Sequence, residues 1–168
     1  QGLSHREIAA RMGWKNKSQV SNEMALLKLP GDWQAAVVSQ EIPPTHLRHV
    51  MAWRERQPVM DKLLQRYRKR TADGDTLSQN DFQRLVAEVL RDASKPASSG
   101  YGGCPFSITD KNRDELDIVE VPRAWGGKEK RAFNTTRWNQ LAREAKKRKA
   151  KRQKKSASVT RLIPEPKG

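Results

Sequence analysis

The apolar and polar positions at the start of the chain fall into a pair of short helices. Ile8, Ala9 and Met12 lie on one face at helical spacing, and Val20, Met24 and Leu27 share a second. Ser4 and Glu7 have capping-box spacing ahead of the first helix, with Leu3 and Ile8 at the two staple positions. Gly13 fits a left-handed C-terminal position. Two short helices around a glycine turn are the layout of a helix-turn-helix, whose second helix enters the DNA major groove.

The helical pattern continues. Pro30 is expected to end the second helix, and Trp33, Ala36 and Val37 define an amphipathic stretch to about Ser39. Pro43 and Pro44 break it, and Leu47, Val50 and Met51 mark another helix that stops before Pro58. Met60, Leu63, Leu64 and Tyr67 give the next face, followed by a basic end at 66–70. Ser78 and Asp81 then repeat the opening cap pattern. Phe82, Leu85, Val86, Val89 and Leu90 complete a core stripe. The fold class is mainly α, with a helical helix-turn-helix domain over residues 1–93.

On the second helix Gln19, Ser21, Asn22 and Glu23 are left facing outward. Gln and Asn offer a donor and an acceptor together to adenine, and Ser serves either kind of base-edge group. Gln19, Ser21 and Asn22 are therefore the candidate base readers. Glu23 either accepts from cytosine or is simply solvated. Lys15, Lys17, Ser18 and Lys28 are candidate phosphate contacts, which position a protein without reading sequence. An ordinary helical hairpin with a polar surface is the plainer alternative.

The run from Gly2 to about Val50 resembles the central DNA-binding domain of the ParB partition-protein family. The matching residues are Gly2-Leu3-Ser4, Glu7-Ile8-Ala9, Met12-Gly13, Gln19-Val20-Ser21-Asn22 and Leu26-Leu27-Lys28-Leu29-Pro30. A weaker match continues through Trp33 and Val37 to Ile42-Pro43-Pro44-Thr45-His46-Leu47-Arg48. The turn from Gly13 to Val20 is one residue longer than usual. The resemblance implies double-stranded DNA with a palindromic site as ligand, a homodimer, and a partition ATPase as partner through an upstream region. It also implies an upstream CTP-binding clamp domain. The chain starts at Gln1 without such a domain and is expected to be a fragment, so no CTP hydrolysis is assigned to it.

Charge sharpens the expectation of a nucleic-acid partner. Lys and Arg total 34 against 19 Asp and Glu, a net of +15. Residues 1–93 carry only +4 of this and residues 94–168 carry +11, so the excess is concentrated in the second part. Gly, Ser and Pro mark 94–105 as a flexible linker. Leu116-Asp117-Ile118-Val119-Glu120-Val121 reads as a strand, turned back at Gly126-Gly127 into a second strand ending near Phe133. Asn134 or Thr135 caps a following helix with Trp138, Leu141, Ala142 and Ala145 on one face. Residues 106–145 thus form a small hairpin-and-helix unit, the hairpin expected to dock on that helix or on a second copy, as in a dimerising unit.

A basic tail over 146–168 follows. Eight of the ten residues from 146 to 155 are cations, which predicts disorder unless their repulsion is neutralised. Lys146, Lys147, Arg148, Lys149, Lys151 and Arg152 are candidate phosphate contacts.

Little points to catalysis. His46 and His49 could share a helix face, most simply as a polar surface pair, and no phosphate-cradling or nucleophile-elbow motif occurs. No enzyme activity, cofactor or metal is expected. Asp114, Glu115 and Asp117 read as a solvated acidic patch. One cysteine, Cys104, excludes an intrachain disulfide, and no apolar run approaches a membrane span. A cytoplasmic, nucleoid-associated protein is the default. The functional expectation is sequence-specific DNA binding by a partition protein. A plasmid or phage transcription regulator built on the same reader is the alternative, and a non-specific basic interaction protein is the third reading.

Overall fold

Ser4 and Glu7 start the first helix as their spacing predicts. The Glu7 carboxylate accepts from the Ser4 backbone N–H at 2.8 Å, and the Ser4 hydroxyl accepts from the Glu7 N–H at 3.4 Å. Helix α1 spans His5–Arg11. In the computed structural model of the chain the described residues are 3–13, 15, 17–98 and 103–160, without the side chains of His5, Lys17, Ser18, Gln19, Asn22, Lys111 and 154–160. The chain divides into two compact units, Gln1–Leu90 and Arg91–Gly168.

The first unit continues with α2 (Lys17–Leu26), α3 (Gly31–Val38), α4 (Gln57–Arg70) and α5 (Gln79–Asp92), whose last two residues belong to the second unit. Between α3 and α4 the expected helix is replaced by two 3-10 turns, Pro44–His49 and Met51–Trp53. Pro58 sits in the first turn of α4, where its missing N–H costs no hydrogen bond. Trp33, Ile42, Met60, Leu63, Tyr67, Phe82 and Leu85 are almost wholly buried. The Trp33 indole donates to the Met60 carbonyl at 3.2 Å and the Tyr67 hydroxyl donates to the Glu41 carbonyl at 3.1 Å, so these large rings enter the core with their polar atoms satisfied. The stripe predicted for α5 is buried at all five positions.

Three apolar positions and one histidine differ from the sequence reading. Met12, Met24 and Leu27 are exposed at 60%, 39% and 72%, not buried. Helix α2 ends at Leu26, and 3-10 bonds from Lys28 to Ala25 and Leu29 to Leu26 tighten the chain there. The tighter pitch turns Leu27 outward and brings Leu29 into the core. Pro30 therefore precedes α3 as its N-cap residue and does not close α2. His46 is buried, not a surface partner of His49, and its ring stands edge-on to Phe82 at 4.5 Å.

The second unit is built on a three-stranded antiparallel sheet in the order β1 (Lys95–Pro96), β3 (Lys128–Ala132), β2 (Ile118–Pro122). The hairpin register runs from Ile118 opposite Ala132 to Pro122 opposite Lys128. Lys95 and Pro96 were expected in a flexible linker but pair with Ala132 and Arg131. Ala97, Leu116 and Ala132 form the small core, covered by Phe106, Ile108, Ile118, Trp138 and Leu141. The short helix α6 (Asp110–Arg113) leads into β2.

Helix α7 spans Thr135–Thr160. The Asn134 side chain starts it by accepting from the Arg137 N–H at 3.0 Å. The disorder expected from residue 146 is corrected here: the helix runs on through the basic segment. Lys, Arg, Ala and Gln all favour helix, and a helix already nucleated extends at little cost per residue. Residues 161–168 lie outside the described part.

Candidate nucleic-acid interface

The helix-turn-helix rests on a few local contacts. Gly13 adopts a φ of +68°, open to glycine and strained for side-chain-bearing residues, and among the described residues no heavy atom crowds its missing Cβ. Ala9 and Val20 are buried, at 4% and 2% exposure, one from each helix of the pair. A small residue on α1 suits a close crossing by α2. Beyond α2, the Gln34 side chain donates to the carbonyls of Leu27 and Leu29 at 3.3 and 2.8 Å, holding the exit of α2.

Of the candidate base readers, Ser21 is exposed on α2. Positions 19 and 22 are also on α2, but the side chains of Gln19 and Asn22 lie outside the described residues, as do those of Lys17 and Ser18. Helical geometry separates the three positions. Residues 19 and 22 are one turn apart on the same face, whereas Ser21 is about 200° round the axis from position 19. Lys15 and Lys28 are exposed at either side of α2 in the chain.

Two cations escaped the sequence reading. Arg6 and Arg11 are exposed on α1, the helix that crosses the DNA backbone in this motif. Their positions outside the apolar stripe of α1 were the available signal. The Glu7 carboxyl is held below its usual range by its hydrogen bonds to the Ser4 hydroxyl and N–H, so the acid at this end of the motif serves the cap.

In the second unit Lys146, Lys147, Arg148, Lys149, Lys151 and Arg152 are all exposed on α7. Steps of about 100° per residue spread them round the whole helix. The Glu144–Arg148 pair, one turn apart at 3.8 Å, is a long, solvated contact. Glu115 is drawn out of the expected acidic patch by Arg137, whose Nε donates to it at 2.7 Å.

Among the described residues no three His, Cys, Asp or Glu side chains gather as a metal-ion set, and no helix is long and apolar enough to cross a membrane. No curated protein and no solved structure gives a match to the chain. Residues 1–72, the stretch holding α1 to α4 and the glycine turn, match the family model described as the ParB HTH domain, and the chain therefore carries a ParB-like helix-turn-helix domain, a DNA-binding module.

Proposed function

We propose that the protein binds double-stranded DNA sequence-specifically as a ParB-like partition protein, with α2 in the major groove. Gln19 and Asn22 read base edges from one face of α2 and Ser21 serves its flank. Lys15, Lys17, Ser18 and Lys28 grip phosphates, joined by Arg6 and Arg11 from α1. The cations of α7 add phosphate contacts that carry no sequence information. The observation that supports this most is the ParB-type match over 1–72, together with a glycine turn and the exposed Ser21 and Glu23 on α2.

A dimer on a palindromic site follows from the usual symmetry of such readers. A partition ATPase would be the further partner, at the nucleoid. The role is binding, without catalysis or cofactor in this chain.

Selection from a random duplex library at ~150 mM salt, which suppresses purely electrostatic binding, tests the reading. An enriched inverted repeat that is lost in Gln19→Ala/Asn22→Ala and kept after neutralising the α7 cations is the expected result. The cations of α7 favour one competing reading, a non-specific basic protein. That reading requires no enrichment, and binding that disappears with the α7 charge.

A further inference from the structure

The β2–β3 hairpin turns through residues 123–127. It is closed by the Arg123 N–H donating to the Gly127 carbonyl at 3.1 Å and the Gly126 N–H donating to the Arg123 carbonyl at 3.3 Å. Gly126 and Gly127 both hold positive φ, 95° and 76°, so the turn is defined by the backbone. At its tip Trp125 is 86% exposed. Arg123 and Lys128 flank it with side chains 58% and 74% exposed, and Lys130 is exposed on the following strand. Glu129 and Glu120 approach Arg123 and Lys128 at 3.8 Å, long surface pairs that leave both cations accessible.

This pattern separates two kinds of ligand. A protein-binding hot spot sets its aromatic anchor among apolar neighbours from which charge is depleted. Among the described residues of the second unit, Trp125 is the one exposed large apolar side chain. Its chain neighbours are Ala124 and two glycines, bounded by cations. Stacking on a nucleobase needs only one ring face, with positive charge for the adjoining phosphates.

We propose that this tip is a binding site for single-stranded DNA. The Trp125 indole stacks on an unpaired base, and Arg123 and Lys128 contact the phosphates on either side. The site is separate from the duplex-reading helix and does not rest on it.

The test is anisotropy titration of a labelled oligothymidylate with the full chain across several salt concentrations. Trp125→Ala should weaken binding about 5- to 150-fold, the range for losing one stacked base, without changing the salt slope. Trp125→Phe should retain most of the binding. Arg123→Gln/Lys128→Gln should reduce the slope of log K on log salt by about 1.4. Gln19→Ala/Asn22→Ala, which disables duplex reading, should leave the dependence on Trp125 intact. Trp125→Ala binding the oligomer as tightly as the native chain overturns the proposal. So does a Trp125-dependent self-association in sedimentation with oligomer binding unchanged.

Discussion

The His46 Nε2 lies 3.1 Å from the Leu77 carbonyl oxygen. A carbonyl only accepts, so Nε2 carries the proton of the neutral ring, while Nδ1 faces the Thr45 hydroxyl at 3.5 Å. The imidazole is clamped edge-on to Phe82 and Tyr67, at 4.5 and 6.4 Å between centroids. It ties the turn after α3 to the start of α5.

Acid should loosen this clamp. Burial holds the His46 pKa below its ordinary value, with Arg48 adding to the effect against the carbonyl contacts that raise it; His49 is lowered for the same leading reason. The unfolded chain takes up these protons near pH 6.5 and the folded chain only at lower pH. The stabilising contribution is therefore present above about pH 6.5 and is lost as pH falls toward the folded values. Urea midpoints measured from pH 8 to pH 5 should fall below pH 6.5, and His46→Gln should flatten that fall from a lower starting stability.

Gly13 offers a test that separates backbone strain from crowding. With no described heavy atom near its Cβ position and a φ of +68°, Gly13→Ala should cost about 1–2 kcal/mol through the left-handed backbone. Gly13→Asn should cost less, because Asn tolerates that region. Thermal unfolding of the two variants checks the order. Equal losses would mean the turn had rearranged.

Arg131 is a buried cation of the second unit, 8% exposed. It donates to the Ser94 hydroxyl at 3.0 Å and to the carbonyls of Arg91 and Ser94 at 2.7 and 3.0 Å. Arg131→Met should destabilise the fold by about 2–4 kcal/mol, since it strands those acceptors. Arg131→Lys should rescue little of this, because an ammonium cannot span the same fork. Chemical denaturation of both variants gives the comparison.

The α7 cations should set the salt dependence of duplex binding. Replacing Lys146, Lys147, Arg148, Lys149, Lys151 and Arg152 by Gln should reduce the log–log salt slope by up to about 5. The preferred DNA sequence should stay the same. A change in sequence preference would mean that α7 touches base edges as well as phosphates.

Much of the fold was legible because its signals are short-range. The Ser4–Glu7 cap, the left-handed Gly13 and the Gly126-Gly127 hairpin each depend on residues a few positions apart, and the stripe of α5 needs only a helical period. The candidate readers were legible only as residue types at positions on α2. The offset of Ser21 from position 19 needs only helical spacing, and Arg6 and Arg11 were signalled by their place outside the apolar stripe of α1; the exposure of Met12, Met24 and Leu27 was not legible.

The amino-acid sequence by itself determined the starts of α1, α5 and α7, the turns at Gly13 and Gly126-Gly127, and that a polar helix follows a glycine turn beside basic residues. Those outcomes are set by local hydrogen bonds and backbone sterics. Tertiary structure alone decided that Leu29 enters the core in place of Leu27, that His46 is enclosed by Tyr67 and Phe82, and that Lys95 and Pro96 become a strand edge against Ala132 and Arg131. Each of these depends on a partner distant in sequence, or on a change in helical pitch that redirects the side chains after it. Apolar periodicity carries neither kind of information.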